Sequence, residues 1–161
     1  MLSRGIPVSY SSKQGTYFGK LISTAHTDII RLKKQIYASD DDEFTFSLAK
    51  VIIRAKINNQ LVVARRYAKD DQEQFDELKQ IKYYKDKVEY AKTSEELMGY
   101  EGIAAKTYFD VLSKEISQEF SFSGRSRRPP KDPFNSMLSL GYTMLMNEIY
   151  GEIENKGLSA Y

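Results

Sequence analysis

Phe44-Thr-Phe-Ser-Leu-Ala-Lys-Val-Ile-Ile-Arg-Ala-Lys-Ile-Asn-Asn-Gln-Leu-Val-Val-Ala-Arg-Arg-Tyr67 decides the fold class. Its β-branched residues suit a strand pair. Its length and its lack of Gly and Pro favour one long, largely buried helix instead. Working outward, Phe18, Ile22, Ala25, Ile29, Leu32 and Ile36 alternate in four- and three-residue steps, a spacing that predicts a single helix from Phe18 onward. Asp40-Asp-Asp-Glu43 lies between the two segments and reads as a helix N-terminus with acidic residues against its dipole, because a calcium loop would need a glycine turn and a distal glutamate. Downstream, Lys69–Lys92 spreads both signs of charge around a narrow seam of Phe75, Leu78, Ile81, Tyr84, Val88 and Ala91. Thr93-Ser-Glu-Glu96 offers a capping box for a helix carrying Leu97, Tyr100, Ala104, Tyr108 and Leu112. Asp132 and Pro133 suit the N-cap and first turn of a last long helix, with Phe134, Leu138, Gly141, Leu145 and Ile149 on one side and Gly157 at its end. The expected architecture is all-α: an irregular bundle of about five helices with a basic proline-rich loop before the last one.

Composition bounds the function. A chain of 161 residues makes one domain, or one domain and a fragment, and can bury roughly 70% of its unfolded surface. Its net charge of +2 gives little bulk attraction to nucleic acid, so binding must come from local clusters. The absence of cysteine excludes disulfides, a thiol nucleophile and cysteine-ligated zinc. No apolar run approaches the roughly 20 residues that span a bilayer, and Met1-Leu-Ser-Arg4 does not begin a signal peptide, so a soluble intracellular protein with no membrane partner is expected.

Chemistry concentrates in three places. Gly99-Tyr-Glu-Gly102 puts two glycines inside a helix, each costing roughly 1 kcal/mol against alanine. They imply either a tight helix crossing with Glu101 an ordinary glutamate, or the close approach of a ligand to Glu101. Arg125, Arg127, Arg128 and Lys131 sit on the proline-stiffened loop. Bonded to four phosphates, they would give a salt slope of about −3.6; the alternative is a mobile basic loop paired to acidic residues nearby. Asn135, Ser139 and Tyr142 share one face of the last helix and would line a polar pocket if that face turns toward Glu101. Lys50, Arg54 and Arg65 form a second basic stripe, readable as a solvated face or as the wall of a nucleic-acid groove. His26, the sole histidine, lies in no metal-ligand spacing, and no serine occupies a nucleophile elbow.

Leu97-Met-Gly-Tyr-Glu-Gly-Ile-Ala-Ala105, Phe122-Ser-Gly-Arg-Ser-Arg-Arg-Pro-Pro-Lys-Asp-Pro-Phe-Asn135, Leu138-Ser-Leu-Gly-Tyr142 and Gly157-Leu-Ser-Ala-Tyr161 together resemble the CRISPR-associated adaptation endonuclease, the spacer integrase first-numbered among the Cas proteins. Gly5-Ile-Pro-Val8 with Gly15-Thr-Tyr-Phe-Gly19 is similar to the point where that family leaves its amino-terminal β-rich domain. The resemblance implies a prokaryotic cytoplasmic DNA nuclease and integrase of antiviral defence, dependent on Mg²⁺ or Mn²⁺. Its implied partners are DNA (spacer precursor and CRISPR repeat), a second copy of itself and a small ferredoxin-like adaptation protein. The family's metal site uses a glutamate, a histidine and an aspartate. Glu101 matches the glutamate, and His26 does not match the histidine. The resemblance therefore implies that residues 1–16 are a linker remnant and residues 17–161 an incomplete helical catalytic domain. With one ligand of three, that domain would have little activity alone. The competing expectations are a non-catalytic helical DNA-binding module and a purely structural bundle.

Overall fold

The computed structural model describes residues 8–11, 17–21, 28–68, 72–120, 122–126 and 129–160. In chain order it forms a hairpin of β1 (Val8–Ser11) and β2 (Tyr17–Leu21), then α1 (Ile29–Ser39), α2 (Asp42–Tyr67), α3 (Gln72–Lys87), a 3₁₀ turn (Val88–Tyr90), α4 (Ser94–Glu115), a second 3₁₀ turn (Gln118–Phe120) and α5 (Pro133–Asn155). The mostly helical class with five helices stands as expected. Among the described residues no helix is long and apolar enough to cross a membrane.

The expected helix from Phe18 is corrected. Phe18 lies in β2, which pairs antiparallel with β1 in the register Val8↔Leu21, Ser9↔Lys20 and Tyr10↔Gly19, with an irregularity between Tyr10 and Ser11. A partner strand upstream satisfies this backbone, and Gly19 adopts φ +155, which other residues rarely do. Ile22, Ala25 and His26 lie outside the described residues. The helix begins only at Ile29, where the Asp28 carboxylate accepts the Arg31 N–H at 3.0 Å.

The chain divides into two compact units, residues 1–40 with 142–161 and residues 41–141. In the first, α1 buries no residue, and Ile29 and Ile36 of the expected stripe are exposed. Polar ties within it include two 2.8 Å hydrogen bonds that the Gln35 amide exchanges with the backbone of Ser159, and the bond Arg31 donates to the Lys156 carbonyl. The end of α5 has the expected glycine stop. Gly157 takes φ +72, its N–H reaches the Glu154 carbonyl at 2.8 Å, and the Leu158 N–H reaches Ile153 at 3.2 Å.

The second unit holds the core. Asp41 caps α2 by accepting the Phe44 N–H at 2.9 Å, with Asp42 and Glu43 in the first turn, as the acidic run implied. Of the long apolar segment only Ile57, Gln60, Leu61 and Ala64 are buried, so α2 is a helix but not a largely buried one. This single stripe meets Ile81, Val88, Ala91, Leu97, Ala104 and Val111. A second cluster joins Phe109, Leu112 and Phe122 to Phe134 and Leu138 at the start of α5. Polar bonds fasten α3 to α4: Thr107 donates to the Gln80 carbonyl oxygen at 3.0 Å, Gln74 to Glu115 at 2.9 Å and Lys114 to Glu77 at 3.0 Å.

Thr93 caps α4 by accepting the Glu96 N–H at 3.2 Å. Glu96 reaches back to the Lys92 N–H at 2.8 Å, one residue earlier than a capping box requires. Hydrogen bonding to its own backbone N–H and to Thr93 holds the Glu95 carboxyl below the usual carboxylate range. The stabilisation this gives is complete above the ordinary glutamate pKa and disappears as pH falls through the lowered one.

Ile81 is fully buried, whereas Val51 on the outer face of α2 is 65% exposed. In urea unfolding followed by circular dichroism, Ile81→Ala should cost about 2–5 kcal/mol. Val51→Ala should stay within about 0.5 kcal/mol.

Candidate functional site

Glu101 sits on α4, one turn before buried Ala104, so the packing that seats Ala104 holds the carboxylate at the flank of the core. Its side chain is 19% exposed and bonded to the Lys56 ammonium of α2, whose side chain is 45% exposed. One helical turn beyond Lys56, the Gln60 side chain is buried, and its carbonyl oxygen has no hydrogen-bond partner among the described residues. Lys56, Gln60 and Glu101 thus form a polar strip along the α2–α4 seam.

The glycines beside Glu101 do not mark the helix crossing their sequence allowed. A methyl group added at Gly99 or Gly102 would meet nothing within 4 Å. Among the described residues, neither glycine is therefore packed against a neighbouring helix.

The loop before α5 is organised by an uncharged residue. Asn135 is fully buried, and its side-chain oxygen accepts from Arg125 Nη1 at 2.8 Å and from the Ser126 N–H at 2.9 Å. Its amide nitrogen donates to the Gly124 carbonyl at 2.9 Å and to Asp132 Oδ2 at 2.5 Å. Asp132 also accepts the Asn135 backbone N–H at 2.7 Å, the N-cap bond the sequence implied. Ser139 donates to the Asn135 carbonyl at 2.8 Å and accepts from Arg125 Nη2 at 3.3 Å.

Arg125 is therefore half-buried, with the Asn135 and Ser139 side chains and the Ser126 carbonyl among its partners. Lys131 is exposed, with its backbone N–H tied to the Ser126 hydroxyl at 3.0 Å. Arg127 and Arg128 lie outside the described residues. Asn135 and Ser139 are brought together with Arg125. Tyr142 follows on the same helix but is the first residue of the other unit.

Sequence reasoning missed Lys56. Its signal was positional: it precedes Ile57, the first buried residue of the α2 stripe, so it edges the core where a carboxylate of the facing helix must also emerge. Gln60 carried a similar signal, as a polar residue inside that stripe.

A divalent cation does not fit the described residues by themselves. Glu101 brings a single carboxylate whose charge Lys56 already neutralises. Among the described residues no group of three or more His, Cys, Asp or Glu is placed to hold a metal ion. Mg²⁺ and Mn²⁺ favour several oxygen donors.

Comparison with known proteins places these features. Residues 1–161 match the family described as CRISPR associated protein Cas1. The CRISPR-associated endonuclease Cas1 of Mycobacterium tuberculosis is 38% identical over 161 residues, covering 100% of this chain and 47% of that protein. A CRISPR-associated endonuclease Cas1 of Thermus thermophilus is 36% identical over 157 residues, covering 98% of this chain and 46% of its own length. The chain thus spans about half the length of the curated relatives it matches. Among solved structures, a chain of a Cas6-RT-Cas1–Cas2 complex superposes with a TM-score of 0.83 at 30% identity, covering 98% of this chain and 18% of that one. A Cas1 protein from Thermotoga maritima superposes at 0.75 with 25% identity, covering 95% of this chain and 48% of that one. With its full length matched and its fold shared, the chain belongs to the Cas1 family.

Proposed function

We propose that this chain supplies the Glu101-bearing helical part of a metal-dependent DNA endonuclease and integrase of the kind that inserts new spacers into CRISPR arrays. The observation that carries the reading is a carboxylate seated at the core's edge, flanked by two glycines whose Cβ positions are open, with one lysine as its partner. Glu101 is the one metal ligand assigned to this chain. Mg²⁺ or Mn²⁺ would complete the chemistry only with further ligands, so the chain alone has little or no nuclease activity.

DNA contact is assigned to Arg127, Arg128 and Lys131. Arg125, already engaged by Asn135 and Ser139, serves mainly to hold the loop in shape. The partners proposed for the complete protein are a second copy, a small ferredoxin-like adaptation protein and DNA carrying a new spacer. A relative of this chain has been solved in a Cas1–Cas2 complex, and a casposase with 25% identity has been solved bound to integration product. The second reading, a non-catalytic helical DNA-binding module, draws on the neutralisation of Glu101 by Lys56.

Incubated with Mn²⁺ and duplex DNA, the purified chain should cleave no faster than its Glu101→Ala variant. Robust cleavage that Glu101→Ala abolishes would show that the ligand set is complete without further chain. Arg127→Ala with Arg128→Ala should weaken duplex binding and make the salt slope shallower by about 1.8. An unchanged slope removes the loop from the DNA contact. Because Lys56 is partly solvated, Lys56→Met should lower unfolding stability by about 1–2 kcal/mol, short of the 3–5 of a fully buried pair. Adding Glu101→Gln should recover most of that loss, since no buried charge is then left unpaired.

A further inference from the structure

The stripe of Lys50 and Arg54 has no part in the site built around Glu101. Together they line a cleft of about 560 Å³ between α2 and the end of α3. Ser47, Lys50, Arg54 and Asn58 follow one another along one face of α2, and Lys85 and Glu89 close the opposite wall. Arg65, the third residue of the expected stripe, does not line the cleft; Lys85 takes its place from the neighbouring helix. Three cations thus converge on one cleft against a single carboxylate.

The state of those cations separates this surface from an ordinary solvated face. Elsewhere in the same unit, lysines are paired across or along helices, as Lys56 is with Glu101, Lys79 with Asp76 and Lys114 with Glu77. In the cleft, the Arg54 guanidinium has no partner among the described residues. Lys85 is 20% exposed at its side chain, and its ammonium lies 3.9 Å from Asp86, the outer limit of an ion pair. Lys50 is held in place by the Glu89 carbonyl at 3.1 Å and by the Phe46 ring at 4.8 Å, contacts that leave its charge uncancelled. Arg54 is exposed, but Lys50 and Lys85 are partly buried; burying part of a cation without an anion is costly, and an arriving anion recovers that cost.

We propose that this cleft binds the phosphodiester backbone of a nucleic-acid strand, as a second anion site distinct from the loop before α5. The row along α2 argues for a repeating anion. Lys50 and Arg54 are offset by about 6 Å along the helix, so each can meet a different phosphate of one strand. The Arg54 fork suits paired phosphate oxygens, and Ser47 and Asn58 add neutral donors at either end of the row. These contacts carry no base specificity, so the cleft positions a strand without reading its sequence.

The test titrates the purified chain with a fluorescent single-stranded oligonucleotide and with a duplex, at several salt concentrations. Inorganic phosphate and polyglutamate serve as competitors. Arg54→Gln with Lys85→Gln should weaken binding about tenfold. The salt slope should become shallower by about 1.4 for the single strand or about 1.8 for the duplex, and the larger loss tells which form the cleft holds. A circular-dichroism melt matching the parent confirms an intact fold, and Lys82→Gln on the exposed side of α3 serves as a charge control that leaves binding in place. Unchanged affinity and slope in the double variant overturn the proposal, as does polyglutamate competing as well as nucleic acid. Binding lost in Arg127→Ala with Arg128→Ala but unchanged in Arg54→Gln with Lys85→Gln would sink the cleft while leaving the loop assignment intact, so the two readings fail separately.

Discussion

The dry seam among α2, α3 and α4 is the constraint on which everything site-like depends. Ile57, Leu61 and Ala64 form one stripe of α2 and are met by Ile81, Ala104 and Val111 of the facing helices. At about 25 cal/mol for each Å² of apolar surface removed from water, these fully buried side chains outweigh any surface ion pair nearby. The seam fixes the rotation of each helix about its axis. Once Ala104 faces inward, Glu101 must emerge at the seam's edge, and once Ile57 faces inward, Lys56 emerges beside it. The same rotation of α2 turns Lys50 and Arg54 outward into a cleft shared with α3. A carboxylate site and a basic cleft are thus two consequences of one packing arrangement.

Much of the helical framework was legible in the residues because its signals are local. The acidic cap at Asp41, the Thr93 cap, the Asp132 cap and the Gly157 stop each need only a few neighbouring residues, and each formed. The readings that failed depended on distant partners. Phe18 fitted a helical spacing, but a strand pairs wherever another strand is available, and no spacing within 18–36 reveals β1. The burial of α2 was overestimated for a similar reason: Val51, Ile52, Val62 and Val63 are as apolar as Ile57 and Leu61, yet only one stripe meets a neighbour. Periodicity locates a helix more securely than it locates what the helix packs against.

The site was legible to a different degree. Glu101 stood out because two interior glycines are expensive, and among the described residues no helix packs against either of them. Lys56 did not stand out, since a lysine in a helix is ordinary until a carboxylate of another helix is placed against it. The pairing leaves the local charge near zero, which restrains what a single glutamate can do without further anionic groups. Among the described residues, no second and third acidic or imidazole group is placed beside it.

The loop before α5 shows why an amide, rather than a charge, sits at its centre. Asn135 accepts from Arg125 and Ser126 while donating to Gly124 and Asp132. An aspartate there would keep the two acceptor bonds and strengthen the one to Arg125, but it has no donor for the Gly124 carbonyl, and its charge would face Asp132 at close range. An alanine would leave two backbone groups and a half-buried guanidinium without their partner. Only a side chain that both donates and accepts can fasten the loop at both ends without adding charge. This hub engages Arg125 inside the loop, so the first of the four cations in the run is tied into the loop's own structure before any anion arrives.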